Sequence, residues 1–292
     1  MLFMKIWHQS FTDLDTFPRY ANTLELHANA VVPNGVKVEI HGLCPGTYPA
    51  AVAPMDFNSY PYLRYNNGQQ VCQAVLEAES KGYDAVALGC FFDPALREAR
   101  SLVDIPVVSL SETSFITACS LGRRFAVISL SDFQAKHTEE LVREYGFTKR
   151  LTGIFDMSPS ISLFDLENDS QQIVERFERV CIKAIDNGAE VIIPGDGVLN
   201  AFLVRSNISS INNSTILDPL GALFNHAIYL SNLRKYTKTQ VSRQQYYAKP
   251  PKEYLEHSIS TNKIKSIKEN VFSTSKKLTT DNSPAHTTIR LW

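Results

Sequence analysis

The sequence lacks the usual marks of several protein classes. Its 292 residues carry a formal net charge of -1, and no sustained basic stripe occurs in the first 250, so there is no electrostatic footprint for nucleic acid. No apolar run approaches the roughly 18 residues of a membrane span, and the N-terminal stretch lacks the pattern of a signal peptide. These absences favour a cytoplasmic protein that acts on a small molecule and binds neither nucleic acid nor membrane.

Metal and nucleotide sites have no support in the sequence either. The five cysteines are odd in number, widely spaced and without a CxxC pair, which argues against a disulfide framework and against a zinc site. No GxxxxGK[ST] loop occurs, and "GDGVLN" lacks the third glycine of a dinucleotide fingerprint. His8 and His41 are expected to be hydrogen-bonded polar residues and not metal ligands. We therefore expect no metal site.

What is present is a regular alternation of apolar runs and amphipathic stretches. Runs such as "MKIWHQSF" and "YDAVALGC" predict strands, helical stretches follow them, and the order of elements in the second half repeats that of the first. Such alternation predicts parallel sheets covered by helices on both faces. We expect an α/β fold with two parallel-sheet halves, the first formed by residues 1–115 and 215–250 and the second by residues 116–214.

Three stretches depart from this alternation. Residues 44–68, "CPGTYPAAVAPMDFNSYPYLRYNNG", predict a lid or binding loop in which Arg64 either meets a substrate carboxylate or is a solvated charge. Residues 241–254 fit either an arm that crosses to a partner subunit or an exposed extension, so a homo-oligomer is left open. Residues 255–292 are rich in Ser, Thr, Asn and Lys, which predicts a mostly disordered polar tail.

Two of the predicted strands look like copies of one element. "KGYDAVALGC" ends at Cys90 and "NGAEVIIPGD" ends at Asp196, each with a turn, an apolar run, a glycine and one reactive side chain. Ligands of open parallel sheets gather at the carboxyl ends of strands, where helix N-termini offer unpaired N–H groups. If the two halves face each other across a pseudo-twofold axis, both strand ends meet in one cleft, which is then the active site.

Both of these residues also have a purely structural alternative. The helix predicted to start after Cys90 would favour its thiolate, whereas a lone cysteine is commonly a buried structural residue. Asp196 precedes a helix, and Asp is a preferred N-cap. The other cysteines in predicted helices fit small core residues, and they are Cys72, Cys119 and Cys181.

The chain resembles the aspartate/glutamate racemase superfamily, most closely its hydantoin-racemase-type branch. The resemblance covers roughly residues 4–235 and rests on "YDAVALGCFFDPALREARSLVDIPVVSLSE", "LGRRFAV", "GAEVIIPGDGVLN" and "ILDPLGAL". It implies two flavodoxin-like halves, no cofactor, and two cysteines that face each other across the substrate. In such enzymes one thiolate removes a proton from the carbon next to a carbonyl, and the other thiol returns a proton on the opposite face.

Carried over residue by residue, the resemblance makes Cys90 the first of these cysteines. Asp196 stands where the second is expected. The expected substrate is a small carboxylate, amino acid or hydantoin, and the residues assigned to hold it lie beside the strand ends: Gln9, Ser10, Phe91, Phe92, Ser111, Glu112 and Gly197. Ser111 and Glu112 are equally consistent with cap or loop residues.

The chemistry leaves three functions open. The first is a cofactor-independent racemase or epimerase with Cys90 as one acid/base and Asp196 as the other, because burial raises the pKa of an Asp toward neutrality. A charged Asp196 is instead suited to anchor the substrate while Cys90 acts alone. The second function is a non-catalytic small-molecule-binding relative. The third is a single-thiol lyase or isomerase, similar to the decarboxylases of the superfamily.

Overall fold

The computed structural model describes residues 3–168 and 171–262, and the strands in these ranges form two sheets. The strands are β1 Met4–Gln9, β2 Val36–His41, β3 Ala85–Leu88, β4 Val107–Ser109, β5 Phe125–Ser129, β6 Leu151–Asp156, β7 Val191–Pro194, β8 Ser210–Ile211 and β9 Ser214–Ile216. The α-helices are α1 Pro18–Val31, α2 Pro54–Asn58, α3 Pro61–Ser80, α4 Leu96–Leu102, α5 Leu110–Leu121, α6 Asp132–Glu144, α7 Leu163–Glu167, α8 Gln171–Asp186, α9 Gly197–Arg205, α10 Pro219–Asn232 and α11 Lys252–Asn262.

The parallel parts of the two sheets have the same strand order. The first sheet runs β2-β1-β3-β4, and the second runs β6-β5-β7-β9 before a short antiparallel edge strand, β8. In this order β3 and β7 are equivalent inner strands, and each lies beside the strand that opens its half. The predicted α/β fold with two parallel-sheet halves is confirmed.

The two inner strands form because their side chains are apolar on both faces. All four residues of β3, "AVAL", and all four of β7, "VIIP", are buried. A continuous apolar run is typical of a parallel strand covered by helices on both sides. Helix α10 packs against β3 and α5 in the first half, whereas β9 pairs with β7, so residues 215 and 216 belong to the second sheet and not to the first half as predicted.

The stretch 44–68 is more regular than the sequence predicted. Pro54 opens α2 and Pro61 opens α3, so much of the expected lid or loop is helical. Proline suits the first helical turn because its missing N–H is unpaired there in any residue. Arg64 therefore lies on a helix and not in a loop.

The C-terminal part of the described chain packs on the first half. Arg243 donates hydrogen bonds to the Arg100 carbonyl at 2.8 Å and to the Asp104 carboxylate at 2.5 Å, and Lys249 donates to Asp104 at 2.7 Å. Arg243 and Lys249 thus hold this segment against the first half of its own chain, although most of its side chains are exposed. The arm that crosses to a partner subunit stays a prediction. Helix α11 places residues 255–262 of the predicted disordered tail in a helix, and the rest of that tail lies outside the described residues. Within the described ranges, every helix is too short or too polar to cross a membrane.

Candidate active site

A cleft between the halves opens at the ends of β3 and β7. Its walls include residues that follow β1 and β3 in the first half, and residues from α6, α7 and the start of α9 in the second. Its open space, including the part continuous with solvent, is about 470 Å³. Cys90 and Asp196 both line it.

Two glycines allow the strand ends to approach each other. A Cβ atom added at Gly197 would lie 3.0 Å from the carbonyl oxygen of Gly89 and 3.0 Å from the hydroxyl oxygen of Tyr20. Both distances are tighter than nine in ten real Cβ contacts, so the neighbouring atoms would have to shift by a few tenths of an ångström to admit a side chain. The backbones beside Cys90 and Asp196 are therefore in contact across the two halves.

The Cys90 thiol is held in its neutral form. Burial raises its pKa above the ordinary value, the carboxylates of Asp196 and Asp93 raise it further, and a hydrogen bond from the Phe92 backbone N–H acts in the opposite direction. Helix α4 begins only at Leu96, so the expectation that a helix N-terminus favours the thiolate is wrong. Cys90 is suited to give a proton at neutral pH and less suited to take one.

Asp196 is both a helix cap and a wall of the cleft. Its Oδ1 accepts the backbone N–H groups of Val198 at 2.7 Å and Leu199 at 3.1 Å, which caps α9. Burial raises the pKa of Asp196 to about 6, although these hydrogen bonds lower it. The carboxylate is therefore mostly ionised at neutral pH, yet it takes a proton far more readily than a solvated Asp.

Gln134 of α6 fixes this carboxylate from the other side. Its side-chain Nε2 donates to the Gly195 carbonyl at 2.9 Å and to Asp196 Oδ2 at 3.4 Å, while its Oε1 accepts the Leu130 N–H at 2.6 Å. The sequence analysis missed Gln134, since one polar residue in an amphipathic helix carries no mark of a site.

Tyr20 of α1 is a second residue that sequence reasoning missed. Its side chain is 1% exposed and its hydroxyl reaches the cleft beside Gly197. Burial raises the pKa of Tyr20, the neighbouring Asp196 and Cys90 raise it further, and a hydrogen bond with Ser10 lowers it. Tyr20 thus presents a protonated hydroxyl beside both candidate catalytic groups.

The turn that carries Cys90 is anchored by Asp93. The Asp93 carboxylate accepts hydrogen bonds from the Ser109 hydroxyl at 2.8 Å, the Tyr145 hydroxyl at 2.9 Å and the Ser111 backbone N–H at 3.2 Å. Its own N–H donates to the Cys90 carbonyl at 3.1 Å. Because Tyr145 ends α6 in the second half, this network ties the turn to both halves.

The assigned substrate-contacting residues divide into two groups. Four of them line the cleft, and they are Ser10, Phe91, Phe92 and Gly197. The other three lie elsewhere: Gln9 accepts the Trp7 indole N–H at 3.0 Å, Ser111 donates to Asp93, and Glu112 pairs with Arg100. Ser111 and Glu112 lie in the first turn of α5. The assignment of these three to the cleft is therefore corrected.

Arg64 and the two strand histidines lie outside the proton-transfer site. The Arg64 guanidinium packs 5.7 Å from the Phe92 ring centre and donates to the Asn58 carbonyl at 3.4 Å, so it is not a solvated charge. His8 and His41 are both buried, and the Nε2 of His41 has no hydrogen-bond partner, so the prediction of hydrogen-bonded residues is wrong for that atom. Burial lowers the pKa of His8 to about 3 and that of His41 to about 4.

Metal ligation finds no support in the described part of the chain. No group of three or more His, Cys, Asp or Glu side chains there is arranged to hold a metal ion. All five cysteines are free, and Cys181 is buried in α8 as a core residue.

Comparison with known proteins gives consistent matches. The family model for Asp/Glu/Hydantoin racemase matches residues 38–227. The chain is 30% identical over 145 residues to the hydantoin racemase of Pseudomonas sp. (strain NS671), which is 49% of this chain and 57% of that protein. It is 29% identical over 174 residues to the hydantoin racemase of Paenarthrobacter aurescens, which is 59% of this chain and 70% of that protein.

A solved structure matches over a larger part of the chain. The allantoin racemase from Klebsiella pneumoniae superposes with a TM-score of 0.69 and 20% identity, covering 85% of this chain and 94% of that one. This likeness shows the shared fold. Since the family model matches more than half of the residues, the chain belongs to the Asp/Glu/hydantoin racemase family.

Proposed function

We propose that the protein is a cofactor-independent racemase or epimerase that moves a proton at the carbon next to a carbonyl of a small amino acid or hydantoin-like substrate. The observation that carries the proposal is the meeting of Cys90 and Asp196 in one cleft, with Gly197 packed against Gly89. Similarity to two hydantoin racemases supports the substrate class.

Inversion at carbon requires a base on one face of the substrate and an acid on the other at the same moment. The raised pKa of Cys90 makes its thiol the acid, and the pKa of about 6 makes Asp196 the base at neutral pH. The Asp196 carboxylate takes the α-proton, a planar enolate forms, and the Cys90 thiol delivers its proton to the opposite face.

The mirror-image substrate uses the same pair in the other protonation state. The Cys90 thiolate then removes the proton and the Asp196 carboxylic acid returns one. Each form of the pair carries one proton, so the two reactions balance without any further acid or base. Because the thiol-and-carboxylate form dominates at neutral pH, the two enantiomers meet differently populated forms of the enzyme.

The proposal is tested by incubating the protein separately with each enantiomer of a 5-substituted hydantoin in deuterated buffer. Optical rotation should decay to zero whichever enantiomer is supplied, and NMR should show deuterium entering at the α-carbon. Buffer without protein measures the spontaneous reaction. If a panel of hydantoins and amino acids stabilises the protein against heat but neither rotation nor deuterium content changes, the proposal fails.

A further inference from the structure

Removal of the α-proton leaves negative charge on the neighbouring carbonyl oxygen. As Asp196 takes the proton, its negative charge passes to the substrate oxygen within a largely buried cleft, and a hydrogen-bond donor aimed at that oxygen stabilises it. Cys90 and Asp196 are occupied with the transferred protons. A third group is needed.

Most polar groups of the cleft wall already have partners within the protein. The Ser10 hydroxyl lies 2.6 Å from the Thr12 hydroxyl, and Gln134 is committed to the carbonyl of Gly195. The Asn58 amide donates to the Tyr48 hydroxyl at 3.0 Å. These groups shape the cleft. Tyr20 also has a hydrogen bond, with Ser10, but that bond lowers the pKa of Tyr20, as one accepted by the tyrosine oxygen does, and so leaves the hydroxyl proton to be donated.

The Tyr20 hydroxyl has the required position. It lies against Gly197, at the point where the two strand ends meet, and Tyr20 lines the cleft together with Cys90 and Asp196. Its ring is buried, so the hydroxyl is held by packing and not by solvent. A fixed donor of this kind needs no reorganisation when charge develops.

The second half of the molecule holds Tyr20 in place. The N-cap of α1, Phe17, has no side chain that can accept a hydrogen bond from the helix. Glu167 at the end of α7 does so instead: its carboxylate accepts the backbone N–H of Arg19 at 2.9 Å and of Tyr20 at 2.8 Å. A carboxylate is favourable at this end of a helix, so this contact sets the first turn of α1 over the cleft.

We propose that the Tyr20 hydroxyl is a further catalytic group, which donates a hydrogen bond to the substrate carbonyl oxygen as that oxygen becomes an enolate. The proton stays on the tyrosine, and the Cys90 and Asp196 pair carries the transferred protons. This inference rests on the proposed racemase function and adds the group that stabilises its intermediate.

The test compares Tyr20→Phe with Tyr83→Phe, each of which removes one hydroxyl from a buried tyrosine. The Tyr83 hydroxyl bonds to Glu39, away from the cleft, so this variant is a matched control. Loss of one such donor typically costs about 10²- to 10³-fold in kcat. Tyr20→Phe should lose kcat in that range with KM little changed, whereas Tyr83→Phe should turn over within about twofold of the unaltered protein.

The affinity for a charged ligand relative to a neutral one provides a second test, because a purely structural role of Tyr20 would not change that ratio. The barbiturate anion is planar and carries its charge on carbonyl oxygens, as the enolate does, whereas unsubstituted hydantoin is neutral at pH 7. Tyr20→Phe should bind barbiturate at least tenfold more weakly and hydantoin with unchanged affinity. If Tyr20→Phe does not fold, 3-fluorotyrosine at position 20 keeps the shape and strengthens the donor, and barbiturate should then bind more tightly.

The outcomes separate the two proposals. The role of Tyr20 would be overturned, and the racemase proposal would stand, in either of two cases. The first is turnover by Tyr20→Phe within twofold of the unaltered protein. The second is an unchanged barbiturate affinity in the Phe or the fluorotyrosine protein. Absence of any turnover by the unaltered protein would overturn the racemase proposal, and the role of Tyr20 with it.

Discussion

The strand ends after β3 and β7 occupy equivalent positions in two sheets of the same order, but the chain leaves them differently. After β3 it forms a turn that carries Cys90 and reaches α4 six residues later, at Leu96. After β7 it enters α9 at once, with Asp196 as the N-cap. A residue that caps a helix must accept hydrogen bonds, which a carboxylate does well and a thiol poorly.

This difference shows how a carboxylate can occupy the strand end that faces the Cys90 thiol. The amides of α9 hold the Asp196 side chain in place and Gln134 holds its second oxygen, while burial brings its pKa near 6. Cys90 receives no helix amides of this kind and keeps its proton. In the proposed reaction the equivalent positions are therefore unequal partners, with Cys90 as the resting acid and Asp196 as the resting base.

The largest expected effect comes from removing the thiol. Cys90→Ala should reduce racemisation by about 10⁴-fold, at the upper end of what a general acid/base contributes, because no other thiol lines the cleft. Decay of optical rotation measures it. Cys119→Ser is the control, because Cys119 is a half-buried residue of α5 outside the cleft, and it should leave the rate unchanged. A similar loss in both variants would contradict a specific role for Cys90.

Removing the charge of Asp196 should reduce activity somewhat less than removing the Cys90 thiol, and it should raise the free energy of unfolding. Asp196→Asn keeps the helix cap, because Asn is as good an N-cap as Asp, but should lose roughly 10³-fold in kcat. Burial raises the pKa of Asp196 from its ordinary value near 4 to about 6 in the folded protein, so the ionised carboxylate weakens the fold increasingly from pH 4 to pH 6.

Asp196→Asn should therefore be more stable than the unaltered protein by about 2 kcal/mol at pH 8, and equally stable at pH 3, where both side chains are neutral. Urea unfolding at the two pH values measures the difference. A variant that is less stable at pH 8 would show that the charged form of Asp196 supports the fold.

The pH dependence of kcat/KM is a finer test of the unequal pair. Activity should rise about tenfold per pH unit up to about pH 6, as Asp196 loses its proton, and should then hold beyond the ordinary cysteine range because the pKa of Cys90 is raised. In Asp196→Cys the rise should move to a higher pH, since a thiol replaces the carboxyl.

Asp93 requires a control here, because burial raises its pKa to about 6 as well. Asp93→Asn should keep the rise near pH 6, although its turn is less firmly held. If the rise in kcat/KM near pH 6 disappeared in Asp93→Asn and persisted in Asp196→Cys, the titrating group would be Asp93 and not Asp196.

The smallest effect concerns the contact between the strand ends. Gly197→Ala places a methyl group 3.0 Å from the Gly89 carbonyl oxygen, and such overpacking costs about 1–3 kcal/mol of unfolding free energy. Gly68→Ala in α3 meets only Ala95, at an ordinary 3.5 Å, and should stabilise the protein by about 0.5–1 kcal/mol. Denaturant unfolding of both variants measures this. Equal stabilities would mean that the halves are not in close contact at Gly197.

The sequence predicted those parts of the fold that depend on long-range pattern. The continuous apolar runs of β3 and β7 identified parallel strands, and the repeated order of elements placed Cys90 and Asp196 at facing strand ends. It did not predict that Pro54 and Pro61 begin helices within the expected loop, because proline marks both loops and first helical turns.

The side-chain directions within the site could not be predicted from spacing. Gln9 is the last residue of β1, but its side-chain oxygen accepts the Trp7 indole N–H. Tyr20 and Gln134 lie in amphipathic helices where nothing distinguishes a residue aimed at the cleft from one aimed at the core. Their positions depend on how α1 and α6 pack across the two halves.

The most direct test of the proposed Cys90 and Asp196 pair is to measure exchange of the α-proton with solvent, without inversion, in the variants Cys90→Ala and Asp196→Asn. Cys90→Ala keeps the Asp196 base and should slowly exchange the α-proton of one hydantoin enantiomer for deuterium while racemisation is lost. Asp196→Asn keeps Cys90, whose thiolate form should exchange only the opposite enantiomer, and more slowly because the raised pKa of Cys90 leaves little thiolate at neutral pH. Exchange of the same enantiomer by both variants, or racemisation at the unaltered rate by either one, would contradict the assignment of Cys90 and Asp196 to opposite faces of the substrate.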